Sequence, residues 1–253
     1  MSAEPVRREE RFDVRSLATG YPDGFELDRH SHSWGQLIYG VSGVMHVAAQ
    51  DRVWLLPPTR ALWAPPGVKH EIRMQGRVEM RTLYLSPDLG PGPSTTVEVL
   101  EVQPLLRELI LHILGLHMLS AENRGHARLT AVLVDLLAQA RPQDLFLPMP
   151  ADRRALALTA RLRDPADPAP DLAALARGAG ASLRTLQRLF LAETGLTLEA
   201  WRQKARLIQA AADLLAGASV TTAALDAGYA SLSAFISAFR RQFGVTPGRY
   251  VVG

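Results

Sequence analysis

Three histidines and a glutamine carry the clearest chemical pattern in this chain of 253 residues. Gly24 is followed by His30-Ser31-His32, then by Gln36 and Gly43; further on, Pro65-Pro66-Gly67 leads through Val68-Lys69 to His70. Imidazole nitrogens suit zinc, nickel, copper or iron, and a side-chain amide oxygen can complete such a set. In a strand, His30 and His32 point to the same face because side chains alternate. With His70 from another strand and Gln36, they are expected to close a mononuclear site for a divalent transition metal. The same pocket could instead take an organic effector. Trp34, Tyr39, Trp54 and Trp63 are its candidate lining, or else core packing. His46, His112, His117 and His126 have no partner spacing, so surface or core roles are expected for them.

A second chemistry lies in the last third. Shifted by 49 residues, Ser182-Leu183 falls on Ser231-Leu232, Phe190 on Phe239, Gly195 on Gly244, Thr197 on Thr246 and Trp201 on Tyr250. Each copy reads as a short helix, a glycine turn and a second helix opened by a serine N-cap, which is the helix-turn-helix layout. Leu183, Leu186, Leu189 and Phe190, and then Ala234, Phe235, Ala238 and Phe239, recur at helical spacing and are expected to face a core. The other face carries Arg184, Gln187 and Arg188 in the first copy and Ser233, Ser237 and Arg240 in the second. Arginine can bond guanine bidentately, glutamine can do the same with adenine, and serine is a short, permissive reader. Residues 171–253 hold nine Lys/Arg against five Asp/Glu, within a chain of net charge +3. The positive excess therefore lies where phosphates would be met.

The elements that must position these groups follow from pattern. Residues 1–18 are charged and pattern-poor, with a frayed start. Strands are expected over 35–40, 43–48, 52–56, 60–64, 70–74 and 78–85, and many short strands with Gly-Pro punctuation suggest a sandwich or barrel. The run 90–94 ends that barrel. Helices over 104–119 and 124–140 follow, the first apolar nearly all round and so in need of cover by the barrel or by a second subunit. A linker at 145–150 and a helix over 151–163 lead to a proline-rich spacer at 164–170. Between the two helix-turn-helix copies, about 20 residues of helix span roughly 30 Å, close to one duplex turn, so both reading helices could enter successive major grooves.

At this point the residues resemble known families. Ser182-Leu-Arg-Thr-Leu-Gln-Arg-Leu-Phe190, with Ala227-Gly-Tyr-Ala-Ser-Leu-Ser-Ala-Phe235 and Phe239 through Tyr250, resembles the DNA-binding domain of AraC/XylS-family transcriptional regulators. The histidine spacing is similar to the two sequence blocks of the cupin barrel, with Gln36 where cupins usually have Glu, Thr59 in place of a glycine and Met74 in place of an asparagine. The resemblance implies an α+β two-domain chain. Residues 1–145 would hold a cupin-like β-barrel and coupling or dimerisation helices, and residues 150–253 an all-α double helix-turn-helix domain. It implies a cytoplasmic homodimer whose partners are double-stranded DNA, a small-molecule or metal effector and, further, RNA polymerase.

Composition bounds the alternatives. With no cysteine, disulfides, thiolate metal sites and thiol nucleophiles are excluded. No apolar run approaches the ~18 residues of a membrane span, and the first 15 residues are charged where a signal core would be apolar, so a soluble intracellular protein is expected. A rival reading is a metal-dependent cupin dioxygenase or isomerase fused to a DNA-targeting domain. Asp28 and Glu71 are the carboxylates weighed there as a general base, and Gln36 replaces the usual anionic ligand, so a regulator is expected and not an enzyme. A third reading is a barrel that only dimerises, its interior filled by side chains.

Overall fold

The computed structural model describes residues 12–58, 60–90, 92–162 and 171–252. The frayed start expected before Phe12, the Thr59 departure and the spacer at 164–170 lie outside the described residues. The N-terminal half contains β1 (Phe12–Tyr21), β2 (Glu26–His30), β3 (Gly35–Ala49), β4 (Arg52–Leu56), β5 (Arg60–Ala64), β6 (His70–Leu85) and β7 (Glu98–Glu101). Then come α1 (Pro104–Leu116), β8 (Met118–Ser120), α2 (Arg124–Gln139), β9 (Pro142–Gln143) and β10 (Phe146–Pro148). The C-terminal half is helical: α3 (Arg153–Leu162), α4 (Leu172–Gly178), α5 (Leu183–Thr194), α6 (Leu198–Leu215), α7 (Val220–Asp226), α8 (Leu232–Phe243) and α9 (Pro247–Val252).

Two long strands organise the antiparallel barrel. β3 and β6 pair along most of their length, and each then shares its two ends between different neighbours. The start of β3 pairs with β5 and its end with β4, while the start of β6 pairs with β2 and its end with β1. Each had been expected as two short strands. The break in β3 is a register shift between Gly40 and Val44, where Gly43 takes φ 74°. A Cβ at Gly43 would lie 2.6 Å from the Arg77 carbonyl oxygen, so only glycine lets β3 pass this close to β6.

Strand alternation divides the side chains between two cores. Ile38, Met45, Val47, Leu62, Ile72 and Met74 fill the barrel interior. Leu37, Tyr39, Ala61 and Trp63 turn the other way and pack with Leu106, Ile110 and Ile113 of α1 and Leu133 of α2. So α1 is covered on one face by the barrel, and Leu105 and Leu116 remain exposed.

Several expectations are corrected. Residues 12–18 are not pattern-poor coil: β1 runs beside β6 from Val14 opposite Leu85 to Tyr21 opposite Val78. The sheet does not end near residue 90, because β7 pairs with β5 and β9 with β7. The expected linker carries β10, which pairs with β4. These strands are short or lack alternation, and their backbone pairing with distant partners decides them.

Candidate metal centre and nucleic-acid interface

Antiparallel register sets His30, the last residue of β2, directly opposite His70, the first of β6. His32 lies beyond the strand, where its carbonyl accepts the Gly67 N–H at 2.7 Å. This bond ties the loop after β2 to the Pro65-Pro66-Gly67 turn and brings the third imidazole alongside. His30 and His32 therefore meet through a loop, and the expectation of one shared strand face is corrected. Ring centroids are 4.9 Å apart for His30–His32, 4.5 Å for His30–His70 and 5.7 Å for His32–His70. One ligand nitrogen from each residue lies within 4.8 Å of the other two.

The backbone selects which nitrogens are available. His30 Nδ1 lies 2.6 Å from the Asp28 carbonyl oxygen, and His70 Nδ1 3.1 Å from that of Val68. A carbonyl oxygen only accepts, so in each neutral ring the proton is on Nδ1 and Nε2 presents a lone pair. Metal-ligating histidines are oriented in this way. His32 Nε2 and His70 Nε2 are buried without a protein partner, as is Gln36 Oε1. Each such atom costs roughly 1–3 kcal/mol if left unmet. Burial lowers the His32 pKa, with the His30 charge adding to the effect. Burial also lowers that of His70, reinforced by His30 and His32 and opposed by the bond to Val68. Neutral imidazoles are the form a metal requires, so the donor set fits a divalent transition ion.

Gln36 reaches this cluster through Tyr84, a residue the sequence reading missed. The two are register partners on β3 and β6, and Gln36 Nε2 donates to the Tyr84 hydroxyl at 3.3 Å. The Tyr84 ring meets His32 edge-on, with centroids 5.0 Å apart. Burial raises the Tyr84 pKa and keeps the hydroxyl protonated. The four aromatics expected as pocket lining are not gathered around one space. Tyr39 and Trp63 face α1, because alternation turns them away from the barrel interior. Trp54 packs near Phe146 in the other core, and Trp34 lies under the Arg15 guanidinium. Asp28 and Glu71 are both exposed.

In the C-terminal half the two copies repeat in three dimensions. Ser182 Oγ accepts the Thr185 N–H at the start of α5, and Ser231 Oγ accepts the Ala234 N–H at the start of α8. Gly195 and Gly244 close these helices in the left-handed conformation. Phe190 meets Trp201 edge-on at 5.5 Å, and the 49-residue counterparts Phe239 and Tyr250 do so at 5.3 Å. With Leu186, Phe190, Phe235 and Phe239 buried, Arg184, Gln187 and Arg188 on α5 and Ser233, Ser237 and Arg240 on α8 are exposed. One expected core residue, Ala234, is exposed, since its side chain falls at the start of α8 beside the N-cap. Connector α6 has 18 residues, or about 27 Å.

Comparison with known proteins agrees with both halves. The helix-turn-helix domain model matches residues 175–251, and the AraC-like ligand binding domain model matches residues 14–147. The chain is 35% identical over 251 residues to the HTH-type transcriptional regulator NimR of Escherichia coli strain K12, covering 98% of this chain and 90% of that protein. The chain belongs to the AraC family. It is a DNA-binding transcriptional regulator with a cupin-like ligand-binding half. Another relative of this AraC-family protein, the HTH-type transcriptional regulator RipA of Corynebacterium glutamicum, is 39% identical over 107 residues, 42% of this chain and 32% of RipA. Among solved structures, fatty-acid-bound ToxT from Vibrio cholerae aligns over 96% of each chain at 10% identity with a TM-score of 0.42. Among the described residues, no helix is long and apolar enough to cross a membrane.

Proposed function

We propose that this AraC-family regulator reads its operator mainly through α5, with Arg184, Gln187 and Arg188 on base edges, while Ser233, Ser237 and Arg240 of α8 assist. The observation that carries this is the exposure of all six side chains on two helices whose apolar faces are locked in one core. The test is selection of bound sequences from random duplex, followed by titration of Arg184→Ala. A loss of about 1–3 kcal/mol on the selected site, with random DNA bound as before, is expected for a base reader. Equal loss on both would make Arg184 a phosphate contact only.

The barrel half holds a divalent transition metal on His30, His32 and His70, with Gln36 and Tyr84 beside them. Supporting this are the Nδ1 bonds to carbonyl oxygens and the unmet Nε2 atoms. A bound ion would supply Lewis acidity and an anchor for an effector's oxygen or nitrogen. Metal analysis should find near-stoichiometric zinc, nickel, iron or copper, lost in His30→Ala and His70→Ala. Metal-free protein that folds and binds DNA would make the histidines a pocket wall for an organic ligand. Asp28 and Glu71, the carboxylates weighed as general bases, are both exposed, which supports a regulator and not an enzyme. The boundary between halves falls just after β10, at about residue 150. Self-association as a cytoplasmic homodimer through the exposed side of α1, and contact with RNA polymerase, complete the reading.

A further inference from the structure

The two halves enclose a cleft of about 700 Å³ that neither the histidine cluster nor the reading helices use. That volume lies in the ~300–1,000 Å³ range of small-molecule sites. Val53, Leu55 and Leu147 of the barrel face Leu162, Ile208 and Leu225 of the helical half across it. An apolar body therefore has a wall on either side.

The polar groups are sorted along α6. Arg206 and Asp213 both line the cleft and are two turns apart, roughly 10 Å. Burial, and then the like charge of Arg202, lower the Arg206 pKa against the opposing Glu199, so the positive charge of the cleft lies at the Arg206 end. Asp213 is different. The Gln209 amide donates to its carboxylate at 2.9 Å, and the charged group beside it is a second carboxylate, Asp226 of α7. Burial, and then the like charge of Asp226, raise the Asp213 pKa. On the barrel side His46 Nε2 and Gln75 Oε1 lie 2.7 Å apart, so that wall is polar yet internally paired. The α6–α7 end of the cleft therefore carries negative charge, roughly 10 Å along α6 from Arg206.

We propose that this cleft binds an organic cation, with an apolar body between β4 and α6 and a protonated amine held by Asp213 and Asp226. An ammonium group there gains from two carboxylates, of which the part-buried Asp213 is screened less by water than the exposed Asp226. The ligand touches both halves at once. Since α7 is the first helix of the second helix-turn-helix, occupation favours the arrangement in which α7, and with it α8, is held against the barrel. This site is independent of the metal reading.

The test uses the full chain and three probes of one size: 4-phenylbutylamine, 4-phenylbutanol and 4-phenylbutyrate, titrated by calorimetry. The amine is expected to bind at least about tenfold tighter than the alcohol or the acid, a difference of ~1.4 kcal/mol. Asp213→Asn should erase that preference, and Ala218→Trp, which places a large ring in the cleft, should weaken the amine by a similar factor. Circular dichroism and DNA binding establish that both variants fold. Alcohol or acid binding as tightly as the amine, amine binding unchanged in Asp213→Asn, or no probe binding at millimolar concentration would each overturn the proposal.

Discussion

A backbone carbonyl beside each of two imidazoles decides which nitrogen can meet a metal, and this detail is invisible in residue spacing. The types and positions of His30, His32, Gln36 and His70 were legible in the chain. Tyr84 was not, because it joins Gln36 only through the pairing of strands 48 residues apart. Tyr84→Phe removes the hydroxyl that accepts the Gln36 amide. We expect a loss of roughly 1 kcal/mol in denaturant melts, with metal content kept if the imidazoles alone hold the ion. Asp213 gives a pH signature. Its folded pKa is raised, so the folded state holds the proton more tightly than the unfolded chain. Stability from this group is present at low pH and is lost as pH rises through the raised value. Asp213→Asn should therefore raise the melting temperature at pH 7, and this gain should fade as pH falls towards the ordinary value of 3.8. A gain of equal size at pH 7 and pH 4 would contradict the assignment.

At the scale of elements, the repeat is the strongest sequence signal, and its physical content is a ring pair. Phe190 with Trp201 in one copy, and Phe239 with Tyr250 in the other, join each reading helix to the helix that follows. Trp201 is fully buried, and its indole N–H also donates to the Pro148 carbonyl at 2.7 Å. Trp201→Ala should cost about 3–5 kcal/mol. Trp201→Phe keeps most of the packing and should cost about 1 kcal/mol through the lost bond to Pro148. Chemical melts of the two variants measure the difference. Helices were legible because their caps and apolar stripes are local. β7, β9 and β10 were not, since strands of two to four residues carry too little alternation to read.

For the whole molecule, the contact between halves is the feature the chain does not announce. Asp144 accepts Lys204 Nζ at 2.9 Å and Gln242 Nε2 at 2.8 Å, the Lys204 ammonium lies 4.3 Å from the Phe146 ring, and the Arg60 guanidinium lies over Tyr250. The partly exposed Asp144–Lys204 pair is worth about 0–1 kcal/mol, whereas Arg60 and Tyr250 are buried. Asp144→Ala should thus barely move the melting temperature while hydrogen exchange rises in α6 and α8, which are tied to it through Lys204 and Gln242. Unchanged exchange would show that Asp144 does not restrain α6 and α8. By itself the sequence determined two halves of different grammar, a duplicated reading unit, its exposed polar faces and three histidines spaced for one site. Those features depend on side-chain periodicity, caps and residue type, which are local. Only the tertiary structure decided that the aromatics divide between two cores, that the expected linker joins the sheet, and that α6 and α7 close a cleft against β4. Each of these depends on strand register and on packing between segments distant in the chain, which no local pattern encodes.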